Sequence, residues 1–182
     1  LQGIANDVTE RKRAEASALA MAERDPLTSI YNRRSFMTLL DKSVNLMQRM
    51  NSPLSLLGLD LDHFKRINDT WGHSSGDQAL RHFVQLVSDH LRNEDVIGRV
   101  GGEEFLIFLP NTGLEAAAGV AERLRALIES QPVAGPHGPI ALTVSIGVTL
   151  IARGETQEAA LQRVDEAMYR AKAKGRNRVE LA

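Results

Sequence analysis

Arg99-Val100-Gly101-Gly102-Glu103-Glu104-Phe105-Leu106-Ile107-Phe108 is the stretch from which the fold can be read. The apolar run Phe105 to Leu109 is too short for a helix and predicts a buried strand. Val96 to Val100 predicts the strand before it. Gly101-Gly102 is a pair that can close a two-residue hairpin, because both residues can take positive φ. The hairpin so predicted carries Glu103 and Glu104 at its tip. Acids at a turn are ordinarily just hydrated, so their meaning depends on what the rest of the chain brings to them.

The chain has 182 residues, 43% hydrophobic and 25% charged, which suits one globular domain with a short appendage. A net charge of −1 supplies no basic field for non-specific nucleic-acid binding, so no nucleic-acid partner is expected and any phosphate site must be local. The absence of cysteine excludes disulfides, thiolate metal sites and thiol nucleophiles. No apolar run approaches membrane-spanning length and no signal-peptide pattern opens the chain. The expectation is therefore a cytoplasmic protein without direct membrane contact in this stretch. A first residue Leu1 rather than methionine suggests a piece cut from a longer chain, whose parent could still be membrane-anchored.

Upstream of the hairpin, Leu54 to Asp62 is nearly continuous apolar, as in a central strand covered on both faces, and ends in two aspartates. Alternation puts Asp60 and Asp62 on one face, with the Leu61 carbonyl beside them. Carboxylates with a backbone oxygen at a strand end suit a hard cation such as Mg²⁺. Alternatively, they mark the strand's exit to solvent. A short helix, His63 to Trp71, follows; its N-terminal amides would suit phosphate. Gly72 to Asp77 reads as a turn, then Gln78 to Arg92 as a helix. Asn68, His73 and Asp77 flank the turns. An Asn amide and an Asp carboxylate are what a guanine edge needs, and equally what helix caps use. Arg92 and Asp95, before the hairpin, read as a surface ion pair.

At the N-terminal end, Leu1 to Arg24 reads as a linker helix opened by Asn6-Asp7 and Glu10, either a solvated connector or a dimerising element. Asp25-Pro26 breaks it. A helix with an apolar stripe of Phe36, Leu39, Leu40, Val44 and Met47 is predicted over Ser35 to Met50. After the hairpin come a helix from Gly113 to Ser130, a Gly/Pro loop over 132–139, a strand from Ile140 to Thr149, a last helix stopping at Gly175, and a short strand, Arg178 to Leu181. Lys172, Lys174 and Arg176 suit either that helix's C-terminus or phosphate. The result is an α+β fold with a central, mostly antiparallel sheet flanked by helices. Asp60 would lie near Glu103, a layout like the palm of polymerases and nucleotide cyclases.

DPLTSIYNRR, LDLDHFKRINDTWGHSSGDQAL, RVGGEEF, LTVSIGVT and DEAMYRAKAKGRNR together resemble the GGDEF family of diguanylate cyclases, over about Asp25 to Ala182. GIANDVTERKRAE resembles the end of a PAS sensor domain and its linker. The boundaries implied are a linker helix at 1–24 and the cyclase domain at 25–182. The family joins two GTP into cyclic di-GMP and releases two pyrophosphates. By position, the resemblance implies Mg²⁺ (or Mn²⁺) on Asp60, Glu103 and the Leu61 carbonyl, with Glu103 as base for the ribose 3′-hydroxyl. Glu104 has a supporting role at most, because alternation would turn it away from Glu103. Asn68 and Asp77 would read guanine, with His73 nearby. Lys65, Lys172, Arg176 and amides around Phe64 would hold the terminal phosphates, and Gly101 and Gly102 would let the nucleotide approach. Arg92 and Asp95 would form an inhibitory product site, with Arg123 as a secondary contact from a neighbouring subunit. The expected unit is a homodimer driven by an upstream sensor. The competing functions are a silent module binding GTP or cyclic di-GMP, and a structural dimerisation domain; intact signature acids favour the enzyme.

Overall fold

The computed structural model describes residues 23–182. The linker-helix and PAS-edge readings fall on residues outside that range, apart from the last two of the linker. In chain order the elements are β1 (Tyr31–Asn32), α1 (Arg33–Met50), β2 (Leu54–Leu61), α2 (Phe64–Trp71), α3 (His73–Ser88), β3 (Val96–Arg99), β4 (Glu104–Pro110), α4 (Leu114–Ser130), β5 (Val133–Gly135), β6 (Gly138–Ile140), β7 (Val144–Leu150), α5 (Gln157–Ala173) and β8 (Val179–Leu181). Among the described residues no helix is long and apolar enough to cross a membrane.

The strand order is β1-β3-β4-β2-β7-β8. The three inner pairings are antiparallel, while β1–β3 and β7–β8 at the edges are parallel. The sheet is thus mixed and mostly antiparallel, as expected. β2 has paired strands on both sides and is buried at every position, which is why its sequence is apolar without alternation. Helices cover both faces. On one, Phe36, Leu40, Val44 and Met47 of α1 and Val164 of α5 pack on Leu56, Leu106 and Phe108, with the Phe36 and Phe108 rings 5.4 Å apart. On the other, α2, α3 and α4 pack on Leu57, Leu59, Leu61, Phe105 and Ile107, with Phe83 and Phe105 at 4.6 Å. Even-numbered residues of β2 therefore face α1 and α5, so Asp60 emerges on that side.

Three expectations are corrected. Gly72 to Asp77 is not a turn before a helix at Gln78. α3 starts at His73 and ends at Ser88, short of Arg92. Gly72 alone turns the chain, at φ 84°, and its carbonyl accepts from the amides of Ser75 and Gly76. The polar run is the start of a helix, exposed at His73 and Ser74 and buried at Ser75 and Gly76, and Asp77 caps nothing. Residues 132–139 are not a plain loop, because Val133–Gly135 and Gly138–Ile140 pair as a small second sheet. That pairing takes up Ile140, so the strand expected there starts only at Val144. Helix α1 begins at Arg33, two residues before the expected Ser35, because the Asn32 side chain caps it by accepting from the Ser35 amide.

Candidate active site

The signature hairpin is wider than the two-residue turn expected. The register pairs Arg99 with Phe105, and both the Val100 and Gly101 amides donate to the Glu104 carbonyl, at 2.9 and 3.2 Å. The connection is therefore Gly101-Gly102-Glu103, and neither glycine lies at positive φ. Glycine is needed for space instead. A Cβ on Gly101 would run into the Glu104 carboxylate, while Gly102 faces open space. This geometry also corrects the orientation of Glu104. Glu103 lies in the turn, where strand alternation does not apply, and Glu104 is the strand residue paired directly with Asp60. Paired residues project from the same face, so Glu104 stands on the Asp60 side. The Leu61 amide donates to the Glu103 carbonyl at 3.2 Å, stitching the end of β2 to the turn.

Asp60 is buried, and the Lys172 ammonium sits 2.6 Å from its Oδ2. Burial pushes the Asp60 carboxyl up despite Lys172, with the charges of Glu104 and Asp62 adding to the rise. Glu103 is also pushed up, first by burial and then by the charge of Asp60, against the pull of Lys172. These acids stand close enough to repel, and the Lys172 ammonium offsets part of that repulsion. Asp62 adds its charge to Asp60 but is itself held by other partners. It accepts from Thr143 Oγ1 (2.8 Å), Ser145 Oγ (2.6 Å) and the Asn177 amide (3.0 Å), and so fastens β2 to β7 and to the chain after α5. That chain leaves α5 through a Gly175 turn at φ 114°, in which the Gly175 amide bonds the Lys172 carbonyl and the Arg176 amide the Ala171 carbonyl. The turn aligns Lys172 with Asp60 and leaves Arg176 exposed. Among the described residues no three His, Cys, Asp or Glu side chains form a metal cage. The donors at hand are two carboxylates and a backbone carbonyl, oxygen ligands suited to a hard cation that keeps other ligands of its own.

Beyond the end of β2, His63 takes φ 56° and α2 begins at once with buried Phe64, leaving Lys65 exposed. Asn68 reaches from α2 to α3 at Gly76, where any Cβ would collide with the Asn68 amide oxygen and approach the Phe64 ring. Asp77 follows directly, partly exposed, and His73 stands exposed at the start of α3. Asn68 and Asp77 thus share the corner where α2 meets α3.

The family model described as "Diguanylate cyclase, GGDEF domain" matches residues 22–178. The chain belongs to the GGDEF family. It is 44% identical over 158 residues to the diguanylate cyclase DgcP of Pseudomonas aeruginosa, covering 87% of this chain and 24% of that protein. It is 42% identical over 165 residues to the response regulator PleD of Caulobacter vibrioides, covering 89% and 36%. The chain thus spans well under half the length of these curated relatives. The crystal structure of the coiled coil and GGDEF domain of DgcB from Caulobacter crescentus, in complex with c-di-GMP, superposes with a TM-score of 0.91 at 30% identity, covering 98% of this chain and 97% of that one. The resemblance read from the five motifs is borne out.

In this GGDEF domain Arg92 and Asp95 are joined differently from a surface ion pair. Asp95 Oδ2 accepts from the Arg92 backbone amide at 2.8 Å, closing a turn, while Oδ1 is buried without a partner. Burial pushes the Asp95 carboxyl up, and the charges of Arg92 and Arg123 pull the other way. Arg123, on α4, therefore acts on the same acid, and a 220 Å³ hollow at this point is lined by Arg24, Tyr31, Arg92 and Asp95.

Sequence reasoning gave no role to Arg99, although it opens the decisive stretch. Its Nη1 lies 3.1 Å from Asp25 Oδ2, its Nε donates to the carbonyls of Gly101 and Gly102 at 3.2 Å, and its Nη2 to Gly102 at 2.7 Å. Asp25, read only as a helix breaker, also accepts from the amide and hydroxyl of Thr28. A lone arginine entering a glycine turn was the available signal. Asp165 was likewise passed over. It lines a 130 Å³ cavity with Arg33 and Glu104, and burial and the charge of Glu104 raise its carboxyl.

Proposed function

We propose that this domain is a diguanylate cyclase that holds one GTP and reacts with a second, facing copy of itself to form cyclic di-GMP. The observation that carries this reading is the meeting of Asp60, Glu103 and Lys172 at one strand end, next to a corner that offers Asn68 and Asp77. Asn68 and Asp77, with His73 nearby, take the guanine. The open side of Gly102 admits the nucleotide backbone. Lys65, Arg176 and the amides around Phe64 hold the β- and γ-phosphates, and Lys172 joins them when the acids take up their cation.

Asp60, Glu103 and the Leu61 carbonyl would hold a divalent cation, Mg²⁺ or Mn²⁺, which supplies charge neutralisation at the phosphates. The raised Glu103 carboxyl is suited to accept the 3′-hydroxyl proton. The 3′-oxygen then forms a bond to the α-phosphorus held by the facing domain, and the bond to pyrophosphate breaks. Two such transfers close the ring. Glu104, beside Asp60, adds negative charge that strengthens cation binding. Arg92, Asp95 and Arg123 form a second site, for product, that restrains the enzyme. An upstream sensor would act through residues 1–24, with 25–182 as the cyclase domain.

Incubation with GTP and Mg²⁺ followed by chromatography tests the reading. Cyclic di-GMP and pyrophosphate in a ratio of one to two are expected, with faster turnover in tethered dimers than in enforced monomers. GTP bound but unchanged by a dimeric sample would overturn the enzyme in favour of a binding module. Equal rates in monomers and dimers would overturn the two-domain mechanism.

A further inference from the structure

Gly72 is the sole residue between α2 and α3, and nothing lies within 4 Å of where its Cβ would stand. The joint itself leaves the angle between these helices open, and contacts away from it set that angle, the Asn68 side chain against Gly76 among them. That angle fixes how Asn68, on α2, stands relative to Asp77, on α3.

A third element reaches across the joint. The β5–β6 hairpin is rooted on α3, where His82 Nε2 donates to the Gln131 carbonyl at 3.1 Å, and its Val133 and Ile140 are buried in the same core as α3. Its tip touches α2. There the His137 imidazole stacks on the Trp71 indole, with ring centroids 6.3 Å apart and planes inclined by 30°. Such offset pairs are attractive beyond the area they cover. Trp71 is the last residue of α2, one turn beyond Asn68. The next amide, of Gly72, donates to the Asn68 carbonyl at 2.9 Å, and Ser75 Oγ of α3 donates to the Trp71 carbonyl at 2.9 Å. Trp71 thus stands between Asn68, whose carbonyl is bonded by the next amide, and α3, whose Ser75 bonds its own carbonyl. Pro136 and the positive φ of Gly138, 134°, shape the tip that presents His137.

We propose that His137 is a positioning residue for base recognition: by stacking on Trp71 it holds the α2–α3 corner at the angle that lets Asn68 and Asp77 meet one guanine edge. This rests on the reading of that corner as the guanine site. His137 is exposed and touches no nucleotide-binding group itself, so its removal leaves the fold standing.

Binding of the α,β-methylene analogues of GTP and ATP, whose α–β bridge cannot be cleaved, is measured by calorimetry, with steady-state kinetics on GTP, for the wild type, His137→Ala and His137→Phe. His137→Ala should weaken guanine-nucleotide binding about three- to tenfold and raise KM by a similar factor with kcat unchanged, while the ATP analogue is unaffected. His137→Phe, which restores a ring, should recover wild-type affinity. Wild-type affinity in His137→Ala, or Phe as weak as Ala, overturns the proposal. A wild type that does not prefer the guanine analogue overturns the reading of the corner itself and the proposal with it, a failure visible before any variant is compared.

Discussion

Replacing Arg99 with alanine removes one guanidinium that spans the start of the domain and the signature turn. Its contact with Asp25 is mostly shielded, with the two side chains 15% and 16% exposed. The Gly101 and Gly102 carbonyls lie at the solvent edge, so water can replace the arginine there. Asp25 keeps both of its Thr28 bonds. The stability lost is then about one charge-assisted hydrogen bond, at the lower end of its range because the pair is partly hydrated, or about 2 kcal/mol. For a chain of this length that lowers Tm by roughly 4–8 °C. The kinetic effect should be larger. Arg99 is what holds the turn carrying Glu103 from its outer side, and a displacement of about 1 Å at a reacting group costs on the order of a hundredfold in rate. Arg99→Lys separates the two effects. An ammonium can pair with Asp25 but cannot also span two carbonyls, so stability should largely return while kcat does not. Pyrophosphate release well below Tm, alongside thermal unfolding, gives both quantities. An Arg99→Ala protein that loses less than about threefold in kcat would refute the assignment of Arg99 as the strut of the turn.

Glu103→Gln should abolish product and yet leave the cation-free fold as stable or more so, by at most about 0.5 kcal/mol after solvent screening, because a partly buried charge facing Asp60 disappears; retained turnover, or a lowered Tm, would contradict this. Gly76→Ala puts a methyl against the Asn68 amide, and should cost about 1–3 kcal/mol and raise KM for GTP more than it lowers kcat; kinetics identical to wild type would detach Asn68 from the site. Burial would raise the Asp25 carboxyl, but bonds from Thr28 and Arg99 outweigh it and hold the group below its ordinary 3.8. Its contribution is therefore present above that value and lost as pH falls through the folded pKa, so urea midpoints of wild type and Asp25→Asn should converge in that window. A gap that stays constant down to about pH 2 would contradict the sign. Arg92→Ala should relieve inhibition by added cyclic di-GMP without changing initial rates, and inhibition of wild-type strength would remove Arg92 from the product site.

The central strand, its neighbours and the helices of the described residues were legible because burial leaves a period in the sequence. Leu56, Leu106 and Phe108 fall on one face and Leu57, Leu59 and Ile107 on the other, and nothing local competes with that pattern. What misled was composition serving something other than local structure. His73-Ser74-Ser75-Gly76-Asp77 looks like a turn, but Gly76 is small to admit Asn68, a residue that only tertiary contact brings near. Gly101 looks like a positive-φ glycine, but it makes room for Glu104, whose position depends on the register with Asp60. Asp62 looked like a partner of Asp60 because strand alternation groups them. The difference lies in Thr143, Ser145 and Asn177, which claim Asp62 and leave Asp60 to Lys172. The acids that meet at this strand end could be named from the sequence, whereas how they are paired required the register.

That pairing bears on why a single domain would be half of a reaction centre. The product has two-fold symmetry, so the two bonds formed must be made by equivalent groups in equivalent places, which an isologous pair of domains provides and one domain does not. Such a pair demands that the acids stand at the margin of the fold rather than inside it. The hairpin meets that demand at some cost in stability. It sets Glu103 beyond the last strand pairing, exposes Glu104, and leaves Gly102 facing open space. A turn so little supported by packing needs a strut, and Arg99 supplies it by pairing with Asp25. Under the proposed mechanism, a shift at Asp25 would reach the turn carrying Glu103 through Arg99, and with it the distance between one domain's 3′-oxygen and the other's α-phosphorus.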